Sequence, residues 1–163
     1  MSNVTFHEVA DYFISLSNET GNLISNLKLQ KLVYYTQAWH LGIYGEALFQ
    51  ADFEAWVHGP VIPELYREYR QFGWKPIIRE DLGEDYIRQF RAKLTSNELE
   101  VLDDVTDEYF GMTAFALEEQ THKEDPWLIT RRGLPDDAPC DRVINNQHMI
   151  DYYSQFVTHS QEI

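Results

Sequence analysis

The chain has 163 residues, 44% of them hydrophobic and 14% aromatic, with one cysteine; this fits a single globular domain over residues 1–163 and excludes broad disorder, a disulfide framework or a zinc site built mainly from thiolates. No apolar run approaches the ~20 residues that cross a bilayer, and the first residues lack the basic start of an export signal, so a cytoplasmic protein without membrane contact is expected. The formal net charge is −14 with no compensating basic patch, which repels nucleic acid and attracts basic protein surfaces.

Helical signals recur along the chain. Thr5-Phe6-His7-Glu8 reads as a capping box opening a helix with Phe6, Val9, Ala10 and Phe13 on one face. Ser17 to Asn22 is turn-like. Leu27 to Tyr44 carries an apolar row at Leu29, Leu32, Val33 and Ile43 and a second at Leu27, Tyr34, Ala38 and Leu41, the mark of a central helix; Gly45 is its stop. Phe53 to Val57 is aromatic and β-branched, which predicts a short strand, followed by a turn at His58-Gly59-Pro60. Pro63 starts a helix through Phe72, and Lys75 to Arg79 reads as a second short strand.

Helices resume near Glu84. Thr95-Ser96-Asn97-Glu98 is a second capping box, placing Leu99, Leu102, Val105 and Tyr109 inward up to Gly111. Thr113 caps a helix to about His122, residues 133–141 are loop by composition, and Met149, Tyr152, Tyr153, Phe156 and Val157 follow the spacing of a final helix. The sum is a mainly α fold of about six or seven helices with a small β-hairpin element.

Enzyme signatures are lacking. The six histidines, His7, His40, His58, His122, His148 and His159, form no local metal-ligand pair, and no metal or cofactor is expected. Cys140 stands among Asp136, Asp137 and Asp141, which disfavour its thiolate. Glu100, Asp103, Asp104, Asp107 and Glu108 form an acidic stripe, either a solvated face or a docking face for a basic partner.

Lys28, Lys31 and Tyr35 share one helical face, either as a recognition surface or with the lysine stems covering the core edge. Trp56-Val57-His58-Gly59-Pro60 runs from a strand end into a rigid turn that can present side chains at low entropic cost. Lys28, Lys31, Tyr35, Trp56, His58 and Pro60 are therefore the candidate partner-binding residues; no catalytic residue is assigned.

These segments carry a resemblance. Asn26-Leu27-Lys28-Leu29-Gln30-Lys31-Leu32-Val33-Tyr34-Tyr35-Thr36-Gln37-Ala38-Trp39 resembles the first signature of the Panacea domain, the SocA-like antitoxin family that also includes phage-associated GepA-like proteins. Phe53-Glu54-Ala55-Trp56-Val57-His58-Gly59-Pro60-Val61-Ile62-Pro63 resembles the second, and Leu117 with Thr121-His122-Lys123-Glu124-Asp125-Pro126-Trp127 the third. The match extends over roughly residues 6–157.

The resemblance implies a mostly α domain with a small β element and a non-catalytic antitoxin that neutralises a cognate protein toxin by direct contact. The acidic surface suggests that the toxin is basic. At least one member of the family instead delivers its toxin to a cytoplasmic protease, the alternative reading. Some relatives carry a separate DNA-binding helix-turn-helix module, for which this chain has no spare length. Among the signature residues, Gln30, Tyr34, Gly59, Thr121, His122 and Trp127 are assigned structural roles. A further alternative is an enzymatic cleft using Lys28, Lys31, Tyr35, His58 or His122.

Overall fold

A computed structural model describes residues 3–161, with side chains as far as Val157. Among the described residues, eight α-helices and one hairpin are arranged in the order α1 (Phe6–Thr20), α2 (Asn26–Tyr44), β1 (Glu54–Trp56), β2 (Gly59–Val61), α3 (Pro63–Glu68), α4 (Glu84–Lys93), α5 (Ser96–Tyr109), α6 (Ala114–His122), α7 (Asp125–Thr130) and α8 (Asn146–Gln161). A single 3-10 turn, Arg70–Phe72, follows α3.

Both capping boxes form. The Thr5 hydroxyl accepts from the Glu8 amide while the Glu8 carboxylate accepts from the Thr5 amide, and Thr95 and Glu98 repeat the arrangement at the start of α5. Ser25 and Thr113 cap α2 and α6 through their side chains. Each start is thus written within four residues.

α2 is the axis of the molecule. It packs against α8, α5, α1, α6, α3 and β2, while α4 lies on the outer side of α1. Being surrounded, α2 buries polar residues as well as Leu29, Leu32, Val33 and Ala38: Asn26, Lys28, Gln30, Lys31, Thr36 and Gln37 are all inside. α2 and α8 pack tightly at Gly42, where an added Cβ would sit 2.6 Å from Tyr153 Cβ and 3.0 Å from the Tyr153 carbonyl carbon. Gly42→Ala is therefore expected to destabilise the protein by about 2 kcal/mol from overpacking, net of the roughly 0.5–1 kcal/mol that alanine gains over glycine within a helix. A thermal midpoint equal to or above the wild-type value would show that the helices part at no cost.

The hairpin is antiparallel, with Glu54 opposite Val61, Ala55 opposite Pro60 and Trp56 opposite Gly59. Pro60 fits because the Ala55 amide and carbonyl both point away from β2: the amide donates to the Arg142 carbonyl at 3.0 Å and the carbonyl accepts from Arg131 at 2.8 Å. Val143 makes an isolated bridge to Glu54, so the loop after α7 closes the other edge of β1.

Four sequence expectations are corrected. Lys75 to Arg79 is irregular, with backbone bonds from Lys75 to the Phe72 carbonyl at 3.0 Å and from Ile77 to the Ile24 carbonyl at 2.9 Å; the second strand is instead Gly59–Val61, overlapping the segment read as a turn. The helix from Pro63 ends at Glu68 and tightens into the 3-10 turn. The first helix continues to Thr20, through most of the supposed turn. On α5, Leu99 is only half-buried and Val101 takes the inward place. One short helix was not anticipated: α7, where Pro126 occupies the first turn, a position that needs no amide donor.

Candidate functional site

The candidate partner-binding residues divide between inside and outside. Lys28 is buried, its ammonium 5.1 Å above the Phe110 ring, and desolvation lowers its pKa. Lys31 is 1% exposed and Tyr35 is fully buried. Pro60 is buried within β2. Trp56 is half-buried and the His58 side chain is 62% exposed.

Lys31 crosses from α2 to the hairpin, where its Nζ donates to the Pro60 carbonyl at 3.2 Å. The hairpin backbone lies so close that a Cβ on Gly59 would fall 2.4 Å from Lys31 Cε and 2.9 Å from Thr121 Oγ1. Gly59 also has a φ of 105°, which side-chain-bearing residues rarely adopt. Burial brings the Lys31 pKa down to about 7, against the pull of the Glu118 carboxylate toward the charged form. The same Glu118 meets His58 Nδ1 at 2.8 Å on the surface.

Gln30 extends this clasp. Its Oε1 accepts from the Ile62 amide at 3.0 Å, and its Nε2 donates to Asn26, which donates onward to the Tyr66 carbonyl at 2.9 Å. Gln37 binds the backbone at Leu48 and Phe49, with bonds of 2.7 to 3.3 Å. The polar side chains of α2 therefore replace missing backbone partners in the segments that wrap it, as buried backbone groups require.

A second buried network surrounds Glu124. Its carboxylate accepts from Tyr35 at 2.9 Å, Tyr153 at 2.7 Å and Gln120 at 2.9 Å, and the Tyr34 and Tyr153 hydroxyls meet at 3.2 Å. Desolvation raises the Glu124 pKa, with the three donors opposing. Tyr35 stacks on Tyr109 at 4.0 Å, and Tyr109 accepts from Trp39.

Trp127 joins the third signature to the hairpin. Its indole N–H donates to the Trp56 carbonyl at 2.8 Å, the His122 ring stacks on it at 4.0 Å, and the Arg131 guanidinium lies 4.9 Å from its ring centre. His122 Nε2 and Arg131 Nε have no hydrogen-bond partner among the described residues, and desolvation lowers the His122 pKa. Arg131 gathers the carbonyls of Ala55, Pro135, Asp136 and Ala138. Thr121 is buried and donates to the Glu118 carbonyl.

Sequence reasoning did not single out Glu124 or Arg131. Glu124 stands within the third signature, but a carboxylate in a polar stretch reads as surface by default; Arg131 carries no local signal at all.

Outside these clasps, Trp56 donates to the Glu54 carboxylate at 2.8 Å and packs on Tyr66. Together with Leu27, His58, Val61 and Cys140 they line a surface groove of about 550 Å³. No group of three or more His, Cys, Asp or Glu among the described residues is placed to hold a metal ion. The side chain of His159 lies outside the described residues. No described helix is long and apolar enough to cross a membrane.

These elements define an α-helical domain whose hairpin is clasped onto one central helix by conspicuous polar motifs. The family model for the antitoxin SocA-like Panacea domain matches residues 29–128, and the chain belongs to that family. Antitoxin SocA of Caulobacter vibrioides (strain NA1000 / CB15N) is 42% identical over 64 residues, which is 39% of this chain and 34% of that protein. The match thus spans about a third of the relative's length. No solved structure matches the chain.

Proposed function

We propose that the protein is an antitoxin that neutralises a cognate protein toxin by direct, non-catalytic binding. Membership of the SocA-like family carries this reading, with the family match covering α2 from Leu29, the hairpin and most of α7. The geometry supports it: Lys31, Tyr35, Glu124 and Trp127 are engaged inside the fold, holding a shape rather than lining an open cleft. Trp56 and His58 remain at the surface as contacts for a partner. The toxin is expected to present a basic surface to this acidic chain, so encounter is steered by charge and slowed by salt.

The test is co-expression with the product of the adjacent gene, followed by co-purification. Restored growth with a stable complex is the expected result, and its association rate should fall as ionic strength rises. Growth restored while the partner disappears would favour delivery to a cytoplasmic protease. A neighbour that is harmless alone would remove the antitoxin reading for this pair.

A further inference from the structure

The C-terminal half of α2, one edge of α5 and the end of α8 enclose a groove of about 820 Å³. Its apolar lining is Trp39 and Ile43 from α2 and Phe156 and Val157 from α8, over the buried Val101 and Val105 of α5. Phe156 is 48% exposed, a large apolar surface facing water. The rim is formed by Glu100, Asp104, Asp107 and Glu108, all exposed, and no lysine or arginine lines the groove.

The rim lacks ion-pair partners among the described residues. α5 pairs Asp103 with Arg91 at 2.6 Å, yet none of the four rim carboxylates makes a salt bridge among the described residues. Like charges so spaced on a helix repel one another. Partial burial raises the Asp104 pKa, with Glu100, Asp107 and Asp103 adding to the effect. A cation laid along this rim would relieve the repulsion.

We infer that this groove is the docking site for a basic amphipathic helix of the protein partner. Its apolar side would lie on Trp39, Ile43 and Phe156 and its Lys/Arg flank along the rim. The inference rests on the antitoxin reading for the partner being a protein. The occupant's shape follows from the groove: Trp39 and Ile43 stand one helical turn apart on α2, a ridge that apolar residues at helical spacing on a third helix can flank. The rim from Glu100 to Glu108 is two turns long, about 12 Å at 1.5 Å per residue, more than a small cation spans. A second copy of this chain, also at −14, would meet the rim with its own negative field.

The test compares wild-type protein, the rim variant Asp104→Asn/Asp107→Asn/Glu108→Gln and the loop control Asp136→Asn/Asp137→Asn. Each is titrated with a fluorescein-labelled helical peptide bearing leucines at helical spacing and lysines on its flanks. Wild type and control should bind, more weakly as salt rises; the rim variant should bind about tenfold more weakly at low salt, with no loss of thermal stability. Equal affinity of the rim variant, or no binding by wild type, would overturn the inference. A wild-type dimer that Phe156→Ser dissolves would assign the groove to a second copy and also overturn it.

The same proteins are then co-expressed with the toxic neighbour. Loss of rescue in the rim variant alone supports the groove; full rescue by that variant rejects the groove while leaving the antitoxin reading intact. Failure of wild type to rescue rejects the antitoxin reading instead, and the peptide titration decides the groove by itself.

Discussion

Trp127→Ala is expected to cost about 3–5 kcal/mol of stability, the range for truncating a large buried aromatic. Trp127 is 2% exposed, and three losses coincide on its removal. The Trp56 carbonyl loses its donor, the His122 ring its stacking surface, and the Arg131 guanidinium its aromatic neighbour. Arg131 is itself buried and holds the loop after α7 to β1, so the damage should spread to the hairpin edge. Urea denaturation measures the cost, and partner capture should survive at temperatures where the variant remains folded. A variant that unfolds like wild type yet captures no partner would place Trp127 in the interface.

Lys31→Met should stabilise the protein near neutral pH, with an advantage that shrinks as pH rises. The free ammonium titrates at about 10.4; burial under Gly59 and Pro60 brings Lys31 to about 7. Between these values the unfolded chain holds a proton that the folded chain lacks, so this group's contribution to stability increases with pH across the window. The linkage amounts to about 4 kcal/mol at neutral pH, on the order of a full three-unit depression. Methionine fills the stem's volume but leaves the Pro60 carbonyl without its donor, which takes back about 1–3 kcal/mol. Denaturation curves of both proteins at neutral pH and near pH 10 should show the gap narrowing or reversing. A gap of constant size would mean that Lys31 enters the folded protein charged.

The helix starts were legible because capping is local: Thr5 with Glu8, and Thr95 with Glu98, specify their own geometry within four residues. The central place of α2 was also legible, from apolar residues around most of its circumference. The direction of its polar residues was not. Lys28, Lys31 and Tyr35 share a face whichever way that face turns, and only the hairpin, α5 and α6 packed against it make the face internal. β2 was hidden for a related reason. Gly59-Pro60 has the composition of a turn, and its strand pairing depends on Ala55 directing its hydrogen bonds to residues 131 and 142. The pairing of Glu124 with Tyr35 and Tyr153 belongs to tertiary structure alone.

The position of α2 near the start of the chain has a consequence for the protein as it is made. Tyr35 waits for Glu124, 89 residues later, and Tyr34 waits for Tyr153, 119 residues later. At a synthesis rate of about 5–20 residues per second, the central helix spends several seconds without its buried partners. During that interval its tyrosines and clasping amides face solvent or a chaperone, and the nascent chain is open to proteases. Closure comes only when α8 emerges and brings Tyr153 to Tyr34 and Glu124, so the buried network around α2 is complete only once residue 153 has been made.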